Sequence, residues 1–167
     1  MADVTEVEPT QADVTRRVTR AGSGDVNPRL ARHTVTLSDG HQIGLAVCGR
    51  GVPLVVVHGF SAEAFLYAQT LNRLVRTGFK VIAIDLAGHG DTDGLPILGE
   101  TMGGYAELMA RCLRELGIRR AVLAGHSMGG RVVADVAAAH PDLALAVVLI
   151  DAIVGDAWDT LVRTARF

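Results

Sequence analysis

Cysteine, net charge and long apolar runs are all scarce in this 167-residue sequence, and each shortage excludes a class of protein. The two cysteines, Cys48 and Cys112, stand far apart and belong to no CxxC or Cys/His cluster. That excludes a disulfide framework and a zinc-type centre, and both read as small buried apolar residues. The longest uninterrupted apolar run, Leu143 to Ile150, is too short to span a bilayer, and the acidic start MADVTEVEPTQAD has neither the basic nor the apolar region of a signal peptide. Sixteen basic residues nearly balance eighteen acidic ones, so no field builds up that would gather nucleic acid or an anionic membrane. The expectation is a cytoplasmic protein with no nucleic-acid partner and no membrane insertion. Of the six histidines, none lies beyond His140.

With 49% apolar residues the chain has enough material for one modest globular core. Residues 1–32 carry no sustained period and split into an acidic stretch and an arginine-rich one around AGSGDVNP, the composition of a solvated leader. From His33 the pattern becomes regular. HTVTL and QIGLAVCG, separated by SDG, read as a β-hairpin. PLVVVHGF, FKVIAIDL, RAVLAGH and ALAVVLID are apolar runs of the kind that strands buried on both faces of a parallel sheet require. Helical patterns lie between them: Glu63 to Arg76, YAELMARCLRELG with an apolar stripe opposite Glu107, Arg111 and Arg114, and Met128 to about His140 before Pro141. Alternation of this type predicts an α/β fold, a mostly parallel sheet with helices on both faces. The core is expected over residues 33–154. In residues 155–167, Trp158, Leu161, Val162 and Ala165 form an apolar helical stripe.

Active groups in such sheets gather at the carboxyl ends of the strands. Three motifs fall there: HGFS at 58–61, DLAGHGDT at 85–92 and GHSMGG at 125–130. A serine on a sharp strand-to-helix turn needs small neighbours two residues away on either side, and Gly125 and Gly129 meet that need. The turn would expose the Ser127 hydroxyl beside the N–H groups of the next helix, where an oxyanion is stabilised. The plainer reading of Ser127 is a helix N-cap, which needs neither glycine. GHGDTDG has Asp93 where a dinucleotide-binding GxGxxG would need glycine, so no nicotinamide or flavin is implied, and no other cofactor is.

At these residues the sequence resembles the α/β-hydrolase family. GHSMGG is similar to its G-x-S-x-G nucleophile elbow, HGF to its oxyanion loop, and DLAGHGDT to the turn after its fourth strand. The resemblance covers roughly His33 to Asp151. It implies that Ser127 is the nucleophile and that the backbone N–H groups of Phe60 and Met128 form the oxyanion hole. It also implies structural roles for His58, Gly59, Asp85, Gly88, Gly90, Gly125, His126 and Gly129. Epoxide hydrolases and dehalogenases of the family carry Asp at the Ser127 position, so an esterase-like reaction on a small, mostly apolar acyl substrate is the expectation. Lactone, peroxy-acid and carbon–carbon chemistry share the same framework.

The family order of catalytic groups is Ser, then Asp or Glu, then His, and here no histidine follows His140. Asp151, ending the sixth strand, stands where some relatives place the acid, though an aspartate there is also a common structural residue. The family pattern would continue with a cap region, for which 155–167 resembles the start, and with further strands. The expectation is therefore a fold truncated after the sixth strand and inactive by itself. The alternative is a non-catalytic binding or interaction protein that retains a partial hydrolase fold. Oligomeric state is open.

Overall fold

The structure is a computed structural model that describes residues 29–96, 101–152 and 155. Six strands form one sheet: β1 (Ala31–Thr36), β2 (Gln42–Gly49), β3 (Val52–Val57), β4 (Phe79–Ile84), β5 (Ala121–His126) and β6 (Ala144–Ile150). Their spatial order is β1-β2-β4-β3-β5-β6. β1 pairs antiparallel with β2, and β2 antiparallel with β4; β4, β3, β5 and β6 run parallel. Among the described residues three α-helices connect them: α1 (Ala68–Val75), α2 (Met102–Glu115) and α3 (Met128–Ala139).

Why the central strands read as unbroken apolar runs is visible in the packing. Side chains alternate along a strand, and here both faces are covered. Val55, Val57, Ile82, Ile84 and Leu123 pack under α2 and α3 with Leu113, Val132 and Val136. Leu54, Val56, Val81, Ala83 and Ala124 pack on the other face with Leu71 and Val75 of α1. Buried in this way, the Cys112 thiol is pushed up to about 12, and desolvation also raises Cys48, so both remain protonated.

Two boundaries differ from the sequence expectation. The fold includes Leu30 to Arg32, which composition had placed in the leader. Leu30 is buried, its N–H donating to Asn72 at 2.9 Å, and Arg32 pairs with Glu63 at 2.6 Å and lies over the Phe65 ring. These partners lie far along the chain, where local composition carries no information. The expected helix from Glu63 begins instead as a 3₁₀ turn, Ala64–Tyr67, before α1. There the Ala64 N–H donates to the Asp85 carboxylate, whose demand sets the start of the turn. The expected cap start, residues 155–167, lies outside the described residues except for Gly155. No helix among the described residues is long and apolar enough to cross a membrane.

β6 is unlike the other parallel strands. Leu145, Val147 and Leu149 point to one face and Val148 and Ile150 to the other, and all five are 39–48% exposed. An apolar strand on a sheet edge templates pairing with another chain. The 167-residue chain is expected to self-associate, with the double substitution Val147→Lys/Leu149→Lys shifting light-scattering mass toward the monomer. A monomeric unsubstituted chain at tens of micromolar would contradict this.

Candidate active site

The carboxyl ends of β3, β4, β5 and β6 converge on one edge of the sheet, and strain is concentrated there. Among the described residues, the three non-glycine residues with positive φ are Ser61 (59°), Ser127 (51°) and Asp151 (46°), following β3, β5 and β6 respectively. Conformations of this kind persist only where their surroundings over-determine them, and they cluster at functional sites.

Ser127 occupies the N-cap position of α3 with φ 51° and ψ −118°, yet its side chain makes no capping hydrogen bond. The N-cap reading requires such a bond. Its backbone N–H donates to Ile150 O at 3.1 Å, which ties the turn to the end of β6, and among the described residues the hydroxyl has no hydrogen-bond partner. The turn is tight because its glycines are filled from outside. A Cβ on Gly125 would fall on the carbonyl oxygen of Gly129, and one on Gly129 on those of His58 and Val57.

The loop after β3 lies directly against this elbow: a Cβ on Gly59 would stand 3.1 Å from Ser127 Cβ. Phe60 follows it, with a side chain 70% exposed. Among the described residues neither the Phe60 N–H nor the Met128 N–H donates to a protein acceptor, so the two donors named for the oxyanion hole are both unengaged. Met128 opens α3, whose N-terminal dipole adds positive potential at the same place.

Asp85 and His58 hold the loops in place. The Asp85 carboxylate is buried and accepts from Ala64 N at 2.5 Å and from Asp91 N at 3.2 Å, joining the loops after β3 and β4. Gly90, at φ 51°, leaves that carboxylate room, and Gly88 lies in the same loop, its N–H donating to Asp93 O. Thr92 Oγ1 donates to Asp85 O and accepts from Gly44 N, both at 2.9 Å. His58 is 1% exposed. Its Nε2 accepts from Leu86 N at 2.9 Å, which leaves the proton on Nδ1 to donate to Gly59 O at 2.7 Å. With both nitrogens committed and burial pushing its pKa below the usual histidine value, His58 stays neutral.

An alpha/beta hydrolase fold family model matches residues 52–167. The chain belongs to the α/β-hydrolase family. A Mycobacterium phage D29 protein with a provisional non-heme haloperoxidase name is 44% identical over 138 residues, 83% of this chain and 49% of that protein. The bifunctional epoxide hydrolase 2 of Rattus norvegicus is 34% identical over 114 residues, 68% of this chain and 21% of that protein. The solved structure of E-2-(acetamidomethylene)succinate hydrolase superposes with a TM-score of 0.67 at 31% identity, covering 73% of this chain and 44% of that one. The chain thus spans half or less of the length of these relatives.

For a hydrolase-fold chain, the base is the conspicuous question. Among the described residues no histidine is hydrogen-bonded to Ser127. His89 Nδ1 bonds Ala87 O, His41 Nε2 bonds Asp93 O, and His140 bonds Glu107 and Arg114 beyond the far end of α3. His126 bonds Tyr67 Oη, 59 residues away. Asp151 stands one residue beyond the His126↔Ile150 pair, hence across from Ser127; it is exposed and has no protein partner among the described residues. Tyr67 and Arg32 carry no motif signal, and only the folded chain brings them to this edge.

Two outcomes follow. Asp85→Ala removes the acceptor of two buried N–H groups and is expected to lower unfolding free energy by about 3 kcal/mol, read from urea denaturation; a loss under about 1 kcal/mol would contradict the tie. His58 gives a pH dependence. Its folded pKa is depressed, so below about pH 6.5, the ordinary histidine value, the unfolded chain binds the extra proton first. Stability then falls as pH drops, until the folded value is passed. The urea midpoint should be lower at pH 5.5 than at 7.5, with the His58 ring still neutral by ¹⁵N NMR at pH 6.

Proposed function

We propose that this chain is the nucleophile-bearing part of a serine hydrolase acting on a small, mostly apolar ester, thioester or amide. The observation that carries the reading is Ser127, strained at φ 51° in the N-cap position with its hydroxyl uncommitted. In the reaction Ser127 Oγ attacks the carbonyl carbon and gives up its proton to a base. The tetrahedral oxyanion is held by the N–H groups of Phe60 and Met128, the leaving group departs protonated, and water then cleaves the acyl-serine. Serine at this position supports acyl chemistry over the epoxide hydrolysis for which the Rattus norvegicus relative is named. Asp151, one residue beyond the last β5–β6 pair, is the candidate acid.

The base lies with the complete protein. Without it the 167-residue chain is expected to turn over p-nitrophenyl butyrate about six orders of magnitude more slowly than the complete enzyme. A second reading, a non-catalytic interaction protein, draws support from the exposed apolar edge of β6. The experiment that separates the two is labelling of the complete protein by a serine-reactive phosphonate followed by peptide mapping. Label on Ser127, lost in Ser127→Ala, supports the hydrolase; label elsewhere, or equal label on Ser127→Ala, rejects it.

A further inference from the structure

Behind the nucleophile lies a hydrogen-bonded pair that the acyl-transfer scheme does not use. Tyr67 ends the 3₁₀ turn that carries the oxyanion loop into α1, and His126 immediately precedes Ser127. Tyr67 Oη and His126 Nδ1 are 3.1 Å apart, with the rings edge-to-face at 5.9 Å between centroids. The same nitrogen abuts the oxyanion loop: a Cβ on Gly59 would stand 3.0 Å from His126 Nδ1 as well as 3.1 Å from Ser127 Cβ. One imidazole is thus held between the loop that presents the Phe60 N–H and the residue that presents the nucleophile.

In a neutral phenol–imidazole pair the phenol is the stronger acid and donates. Nδ1 is then the acceptor, the ring proton sits on Nε2, and the ring cannot turn without breaking the bond. From this geometry we infer that Tyr67 and His126 are positioning residues that set the separation of Ser127 from the oxyanion donor at Phe60. The inference rests on the serine-hydrolase reading. Neither side chain touches the reacting atoms; Tyr67 acts through His126, and His126 through its contact with Gly59 and its peptide link to Ser127.

The test has two arms. In the unsubstituted chain, long-range ¹H–¹⁵N NMR of His126 should show the Nε2–H tautomer; an Nδ1–H or exchange-averaged ring overturns the inference, and this arm stands even if a variant fails to fold. In the second arm, run on the complete protein that supplies the base, the rate of Ser127 phosphonylation should fall about 10-fold in Tyr67→Phe, whose thermal midpoint stays within a few degrees. His126→Phe should slow it similarly, and the double variant should be no slower than the slower single one. Equal labelling rates in Tyr67→Phe and the unsubstituted chain, or additive losses in the double variant, overturn the positioning role alone. If Ser127 takes no label in any form, the serine reading fails and the positioning role fails with it.

Discussion

Where α3 crosses the ends of β3 and β5, backbone meets backbone with no side chain between. Gly129 passes so close to the carbonyl oxygens of Val57 and His58, and Gly125 to that of Gly129, that neither position has room for a Cβ. Gly130 is filled in the same way by Ala152, just beyond β6. This contact determines how sharply the chain turns after β5, and hence the positive φ of Ser127 and the exposure of its hydroxyl. A wider approach would relax the turn into an ordinary N-cap, with the hydroxyl folded back on the helix and unable to attack anything.

The other loops at this edge are held by buried polar groups as well as by apolar packing. Asp85 and His58 lie among residues that exclude water, and each is matched by backbone donors or acceptors from a different segment. Burial makes such bonds hard to give up, because a lost partner leaves a desolvated group behind. The result is a rigid rim around a strained residue, the preorganisation that oxyanion stabilisation needs. Strain on Ser127 is sustained by this rim and by the Ser127 N–H to Ile150 O bond.

The relatives are named for haloperoxidase, epoxide hydrolase and succinate-derivative hydrolase activities. That spread is consistent with a fold whose sheet presents a reactive residue while other parts of the chain choose the chemistry. Here the turns after β3, β4 and β5 all lie within a chain that spans half or less of the length of these relatives.

By itself the sequence determined the strands, the parallel sheet and the elbow. These depend on local signals: apolar runs of strand length, glycines two residues either side of Ser127, His58-Gly59 after β3 and Gly88-His89-Gly90 after β4. They are legible because alternation, turn chemistry and steric room act over a few residues. Tertiary structure alone decided that the Ser127 side chain makes no capping hydrogen bond, that Leu30 to Arg32 belong to the fold, that Asp85 begins the 3₁₀ turn at Ala64, and that Tyr67 holds His126. Each of these is a hydrogen bond made or withheld between groups tens of residues apart, or a contact that closes only when the sheet is assembled. A one-dimensional pattern carries periodicity but not the distance between such groups, which the strand order β1-β2-β4-β3-β5-β6 sets.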